Sequence, residues 1–200
     1  MTRKLSPLRV MVLRAASRAE PVGSLDMLAD TPASFRAPEN REIRVAARVS
    51  KAALLALAEK WPLAIAFDEL LSAARDRLEA PAHETEDDRR QLASDLLQSY
   101  AAGVIELHHA PSPFVIEAGE RPLASAVARL HASRGTRVTS LRHEPGTMVE
   151  STRAMFMLLD GRRTRSEIAS LCFPGRDAAE SRRDIDTALE RLGRLALLVR

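Results

Sequence analysis

Apolar and polar positions alternate at the start of the chain and then recur with helical spacing. Residues 8–16 read as a short strand, with Val10 and Val12 on one face and Arg9 on the other. A stretch rich in Pro, Gly, Ser and Asp runs through Pro32. Residues 34–45 then read as a β-hairpin around Pro-Glu-Asn, with Asn40 suited to a left-handed turn position. Three helical patterns follow. Residues 50–60 carry Leu54, Leu57, Ala58 and Trp61 at offsets 0, 3, 4 and 7, with Ser50 as the expected N-cap and Pro62 as the stop. Residues 67–78 repeat the pattern with Phe67, Leu70, Leu71, Ala74 and Leu78. After a polar loop around Pro81, residues 86–102 set Leu92, Leu96, Leu97 and Tyr100 inward, and Gly103 is placed to end the helix. The acidic run Glu84, Glu86, Asp87 and Asp88 suits the positive end of that helix's dipole. Two β-like runs, 104–109 and 113–118, come next.

The second half repeats this scheme in looser form. Residues 123–132 predict a short helix with Leu123, Val127 and Leu130 inward, and a strand follows Gly135. Residues 150–159 predict a helix with Met155, Leu158 and Leu159 buried, ended by Asp160-Gly161. Thr164 and Glu167 have capping-box spacing and open a helix with Ile168, Leu171 and Cys172 buried. The last helix, 178–196, places Ile185, Ala188, Leu189, Leu192 and Ala196 on one face, before a terminal strand. Three helices and a two-stranded wing are the order of a winged helix. The expected fold is therefore α+β and mainly helical, with tandem winged-helix-like units and short β-hairpins. The expected division is 1–118 and 119–200, a repeat of architecture rather than of sequence.

Composition narrows the function. The chain has 200 residues and a single cysteine, which excludes an internal disulfide and a cysteine-built zinc site. No apolar run approaches the ~20 residues of a membrane-spanning helix. Arginines at 9, 14 and 18 interrupt the N-terminal apolar run, so it lacks the core of a signal peptide, and a cytoplasmic protein is the default. Residues 119–200 hold 15 Lys/Arg against 10 Asp/Glu, while residues 1–118 hold 15 against 17. The positive charge thus lies in the second half, where it can steer an acidic partner.

Active-site grammar is missing. No two of the eight glycines are separated by a single residue, so the chain has no G-x-G nucleotide loop, and no P-loop or G-x-S-x-G elbow occurs. His108 and His109 fall in a strand that sends their rings to opposite faces, which does not make a metal site. His143-Glu144 reads as a structural pair at a strand end, and Cys172 as a buried, inert thiol. The helices that a winged helix would present to DNA are self-compensated. The first begins with carboxylates, and the second alternates Arg176, Arg182 and Arg183 with Asp177, Glu180, Asp184 and Asp186.

Four segments carry a family resemblance: residues 50–78, 92–115, 121–144 and 158–168. In this order they resemble the regulatory region C-terminal to class I methyltransferase domains, best described in bacterial protein-lysine methyltransferases that act on outer-membrane proteins. Ser140 stands where that family is expected to carry Asn. The resemblance covers most of the chain from about Leu8, but no Rossmann-type catalytic domain accompanies it. It implies a non-catalytic regulatory or substrate-recognition module with no cofactor of its own. Its partners would be a methyltransferase catalytic domain, in cis or in trans, a protein substrate, or both. The last 55 residues also resemble small peptide-recognising winged helices of peptide-modifying systems, through Leu158, Asp160, Gly161, Arg163, Thr164, Glu167 and Ile168. There a peptide adds as a strand. The expected partner-binding residues are Arg142, His143, Arg162, Arg163 and Arg165, on the second unit. A winged-helix DNA-binding regulator is the competing reading.

Overall fold

The computed structural model describes residues 5–79 and 86–200. Two sequence expectations, the loop around Pro81 and the part of the acidic run at Glu84, lie outside the described residues. The chain forms two compact units, Met1–Pro111 and Ser112–Arg200. The division comes earlier than the expected break at 118/119. Val115 N–H donates to Leu198 O, and Val115 and Ala118 pack on the second core.

The first unit opens with a helical turn, α1 (Pro7–Val10), rather than the expected strand over 8–16. Pro7 sits at the start of that turn, where its fixed φ favours a helix and its missing N–H costs nothing. Val10 is buried and Val12 exposed. The strand that does form, β1 (Arg14–Ala16), lies between two later strands, β5 (Ile65–Ala66) and β6 (Glu106–His108), antiparallel to both. Before the helices come β2 (Glu20–Pro21), β3 (Ala33–Arg36) and β4 (Glu42–Val45). The β3–β4 hairpin turns through a left-handed pair, Glu39 and Asn40. Helix α2 (Arg48–Lys60) packs on α3 (Phe67–Arg77) and α4 (Glu86–Ala101). Their inward faces, Leu54, Leu57, Leu70, Leu71 and Leu92, surround Phe35 from the hairpin.

Helix α2 starts two residues before the expected Ser50 cap. Asp30, from the preceding loop, accepts the Arg48 N–H at 3.3 Å and does the capping instead. Ser50 lies inside the helix and donates to Asp95 at 2.6 Å. Tyr100 is exposed rather than inward. The 113–118 run forms no strand and does not pair with β6, so no wing arises there.

The second unit contains β7 (Leu123–Ala124), α5 (Ala126–Arg134), β8 (Arg137–Thr139), β9 (Pro145–Thr147), α6 (Glu150–Met157), α7 (Arg165–Cys172), α8 (Ala178–Arg194) and β10 (Leu198–Val199). Its core is Phe156, Leu159, Ile168, Ile185, Leu189, Leu192 and Leu198, with Ala128 and Ala132 from α5. Helix α5 therefore packs through its alanines, and the expected inward Val127 and Leu130 are exposed, as is Leu171. The small alanines let α5 sit close, while the larger residues lie on the opposite side. The wing is the β8–β9 hairpin.

Strand order makes the repeat concrete. In the first unit β1 lies between β5, which links α2 to α3, and β6, which follows α4. In the second, β7 lies between Asp160, in the α6–α7 link, and β10, which follows α8. Each unit has a hairpin directly before the first of its last three helices, β3–β4 before α2 and β8–β9 before α6, and the second unit adds α5 between its first strand and the hairpin. The fold is α+β, mainly helical, and of winged-helix type, as expected.

Candidate functional site

The second unit has a groove of about 380 Å³ along the outer face of α8. Asp184, Thr187, Ala188, Arg191 and Leu195 form one wall, at offsets 0, 3, 4, 7 and 11. That is a helical stripe beside the core-facing one. Thr147, Val149 and Thr152, from the end of β9 and the start of α6, form the opposite wall. Phe173 closes one end, and buried Met148 and Leu192 lie beneath.

Charge around the groove is nearly all paired. Arg176 stacks over Phe173 at 4.9 Å and bonds Glu180 at 2.9 Å and Asp184 at 3.1 Å. The carboxylate of Glu180, then that of Asp184, raises the Arg176 pKa above its ordinary value. Arg182 is held by Glu120 and Asp186, and Arg194 by Glu190. Arg183 and Arg191 differ, since among the described residues no carboxylate reaches either, and Arg183 donates only to the Ala179 carbonyl. These two cations stand eight residues apart on α8, short of the cluster of free cations that multiple phosphate contacts require.

The first unit has a groove in the equivalent place. Ala46, Ala47, Arg48 and Val49 end the β4 hairpin and start α2, Leu78 and Glu79 follow α3, and Asp87, Asp88 and Gln91 lie on α4. The share of apolar surface is similar in the two, but this one carries four carboxylates, Asp30, Glu79, Asp87 and Asp88, and Arg75 bonds Asp88 at 2.7 Å.

The five expected partner-binding residues fall on two turns and the start of α7. Arg142 and His143 lie in the β8–β9 turn, where the Ser140 hydroxyl accepts the N–H groups of Arg142 and Glu144, both at 3.2 Å. His143 takes a left-handed φ of 61° and is exposed. Glu144 lies 3.5 Å from Arg142, whose side chain is nearly buried. Arg162 and Arg163 belong to the α6–α7 turn, and Arg165 opens α7. Asp160 accepts the N–H groups of Arg162 (2.9 Å) and Arg163 (3.4 Å) and the Arg163 guanidinium at 2.5 Å. These donors, backbone first, hold the Asp160 carboxyl below its ordinary pKa. Arg165 bonds Asp186 at 2.8 Å and the carbonyls of Ala118 and Gly119. Arg163 and Arg165 are thus tied to their own unit, while the Arg162 side chain is exposed.

The other candidates have ordinary surroundings. His108 lies 3.2 Å from Glu106, two residues away on the same strand face. Cys172 is half-buried rather than fully buried as expected, and that partial burial still raises its pKa. Among the described residues no three His, Cys, Asp or Glu side chains are placed to hold a metal ion. No described helix is long and apolar enough to cross a membrane. Sequence reasoning missed the groove. Its α8 stripe is legible as a second helical face, but its other wall is far away in the chain.

Residues 120–173 match the family model described as PKMT, C-terminal winged helix domain. The second unit is similar to a PKMT winged helix. The whole chain is similar in fold to PKMT2 from Rickettsia typhi, with a TM-score of 0.75 at 16% identity, covering 99% of this chain. A second structure of that protein, in complex with AdoHcy, gives the same TM-score and identity. The chain spans 45% of the first PKMT2 chain and 44% of the second. No curated protein sequence matches it. The resemblance to PKMT proteins read from the sequence is thus borne out. The matched segment contains the wing, α6 and α7, which together supply one groove wall and Phe173.

Proposed function

We propose that the chain is a non-catalytic regulatory or substrate-recognition module. It works with a protein-lysine methyltransferase catalytic domain, in cis or in trans, through protein–protein contacts in the cytoplasm. The observation that carries this reading is the likeness of the whole chain to less than half of PKMT2. AdoHcy, bound in the second PKMT2 structure, is the product left when S-adenosylmethionine gives up its methyl group. In our reading that chemistry belongs to the part of such proteins that this chain does not match. What this chain contributes is surface: the α8 groove, and the exposed Arg162 and His143 on the two turns.

Calorimetry of the chain with S-adenosylmethionine, alone and mixed with a PKMT catalytic domain, tests the proposal. The expected result is no stoichiometric binding to the chain alone, together with a changed methylation rate when both are present. Tight one-to-one cofactor binding by the chain alone would sink it.

A further inference from the structure

We infer that the outer face of α5 docks an acidic, amphipathic helix of a protein partner. That helix sets apolar side chains on Val127 and Leu130 and carboxylates on Arg134 and Arg137. This rests on the reading of the chain as a protein-contact module and names one contacting surface and the chemistry it fits.

Charge is the first observation. Residues 121–149 carry five arginines and two histidines against one carboxylate, Glu144, a net of +4 with the histidines neutral. The two elements that pack most on α5, β8 and α6, bring little compensation. Glu144, in the turn after β8, lies 3.5 Å from Arg142, and Glu150 on α6 is bonded by Arg153. Arg129, Arg134 and Arg137 have no side-chain partner among the described residues, and the Arg129 Nε is buried without one. Nor is Arg134 used to close its own helix. The Ala132 carbonyl, in the last turn of α5, accepts from Arg153 at 2.8 Å instead. An uncompensated positive surface of this kind is complementary to Asp and Glu.

The second observation is an apolar stripe beside that charge. Val127, Leu130 and Arg134 stand at offsets 0, 3 and 7, on the side of α5 away from the buried Ala128 and Ala132. Val127 is 57% and Leu130 50% exposed. In the first unit no α-helix lies between β1 and the β3–β4 hairpin among the described residues, so the shared strand order does not require α5. Its outer face is the uncovered side of an added element.

Shape and chemistry together select the occupant. A helix face is a convex ridge, which packs into the groove of another helix, and exposed Ala126 and Ser133 are small enough to admit one closely. Phosphate contacts use cations and polar donors, and Val127 and Leu130 would gain nothing from them. Insertion into a membrane surface needs a broad apolar face, whereas α5 has nine residues and no aromatic side chain. A protein helix with apolar residues one turn apart and Asp or Glu beside them satisfies both parts of the surface.

A phage-displayed library of helical hairpins, randomised on one exposed helix face and selected against the full chain, tests the assignment. The expected survivors carry apolar residues one turn apart, flanked by Asp or Glu. The best one, made as a soluble hairpin, should bind more weakly as salt is raised. It should lose about tenfold or more in affinity against Arg134→Glu with Arg137→Glu, and against Val127→Ser with Leu130→Ser. Arg183→Glu, on α8, should leave binding unchanged. All four α5 and β8 positions are exposed, and unchanged thermal unfolding of the variants separates lost binding from lost folding.

Several results would overturn the assignment: no enrichment over an unrelated protein, survivors without carboxylates, or binding indifferent to both paired variants. So would binding of duplex DNA or phosphatidylglycerol vesicles that Arg134→Glu with Arg137→Glu abolishes, or a dimer in sedimentation that Leu130→Ser dissolves. Cofactor binding by the chain alone would sink the preceding proposal and leave this one standing. Hairpins indifferent to the α5 face would do the reverse.

Discussion

Gly193 shows how tightly one atom can be specified. A Cβ at this position would lie 2.1 Å from the Ile116 carbonyl oxygen, backbone that cannot swing aside. Gly193→Ala is therefore expected to destabilise the second unit by about 1–3 kcal/mol, read from denaturant unfolding. Lys51 makes a comparable demand in the first unit. It is fully buried, and its ammonium donates to the Asp26 and Ala29 carbonyls at 2.9 and 2.7 Å. Lys51→Met keeps most of the side-chain volume and removes the donors. A loss of about 1–3 kcal/mol is expected, with faster hydrogen exchange across residues 26–30. Neither demand was legible in the sequence, because the partners lie more than twenty residues away. Ser140, where Asn was expected, is the contrary case. Its hydroxyl accepts the N–H groups two and four residues on, a task that a side-chain carbonyl also performs.

At the level of elements, the α6–α7 turn and the cap of α7 are the clearest local signals. Thr164 Oγ1 accepts the Glu167 N–H at 3.2 Å, and Glu167 accepts the Thr164 N–H at 2.6 Å. Thr164→Ala should cost about 1 kcal/mol and fray the start of α7. The Thr164 N–H and then its hydroxyl lower the Glu167 pKa, as the Arg162 N–H lowers that of Asp160. Both groups are ionised more readily in the folded chain than in the unfolded one. They therefore stabilise the fold in full above the ordinary carboxylate range. That contribution is lost as the pH falls through their lowered folded values. Asp160→Asn combined with Glu167→Gln should flatten the acid limb of the stability–pH curve and leave its neutral-to-basic shape unchanged. A curve of unaltered steepness below pH 5 would contradict this. Spacing revealed this element because its capping pairs, Asp160 with Arg162 and Arg163 and Thr164 with Glu167, lie within three residues. The start of α2 was misplaced for the opposite reason: Asp30, far back in the chain, caps it.

Across the whole molecule, the two units repeat one arrangement with different surfaces. Each has its own core, and neither core cluster includes a residue of the other unit. A fragment of residues 112–200 is therefore expected to unfold cooperatively by itself. A fragment without a cooperative transition would show that the units do not fold separately.

The sequence by itself determined the helices after α1 from hydrophobic spacing, the capping box and the left-handed turn at Asn40 from residue type, and with them the α+β class. It also showed the lack of nucleotide loops. Each of these depends on residues within about one helical turn or one hairpin of each other. The tertiary structure decided the rest. It paired β1 with β5 and β6 rather than letting it extend from residue 8, and it kept the 113–118 run out of a sheet. It turned Val127 and Leu130 outward and tied Arg163 and Arg165 to their own unit. It also brought Val149 opposite Arg191 to make the groove. The physical reason is that a pattern along the chain records which side of an element is apolar. Which distant surface covers that side is set by packing, and so is the side left free.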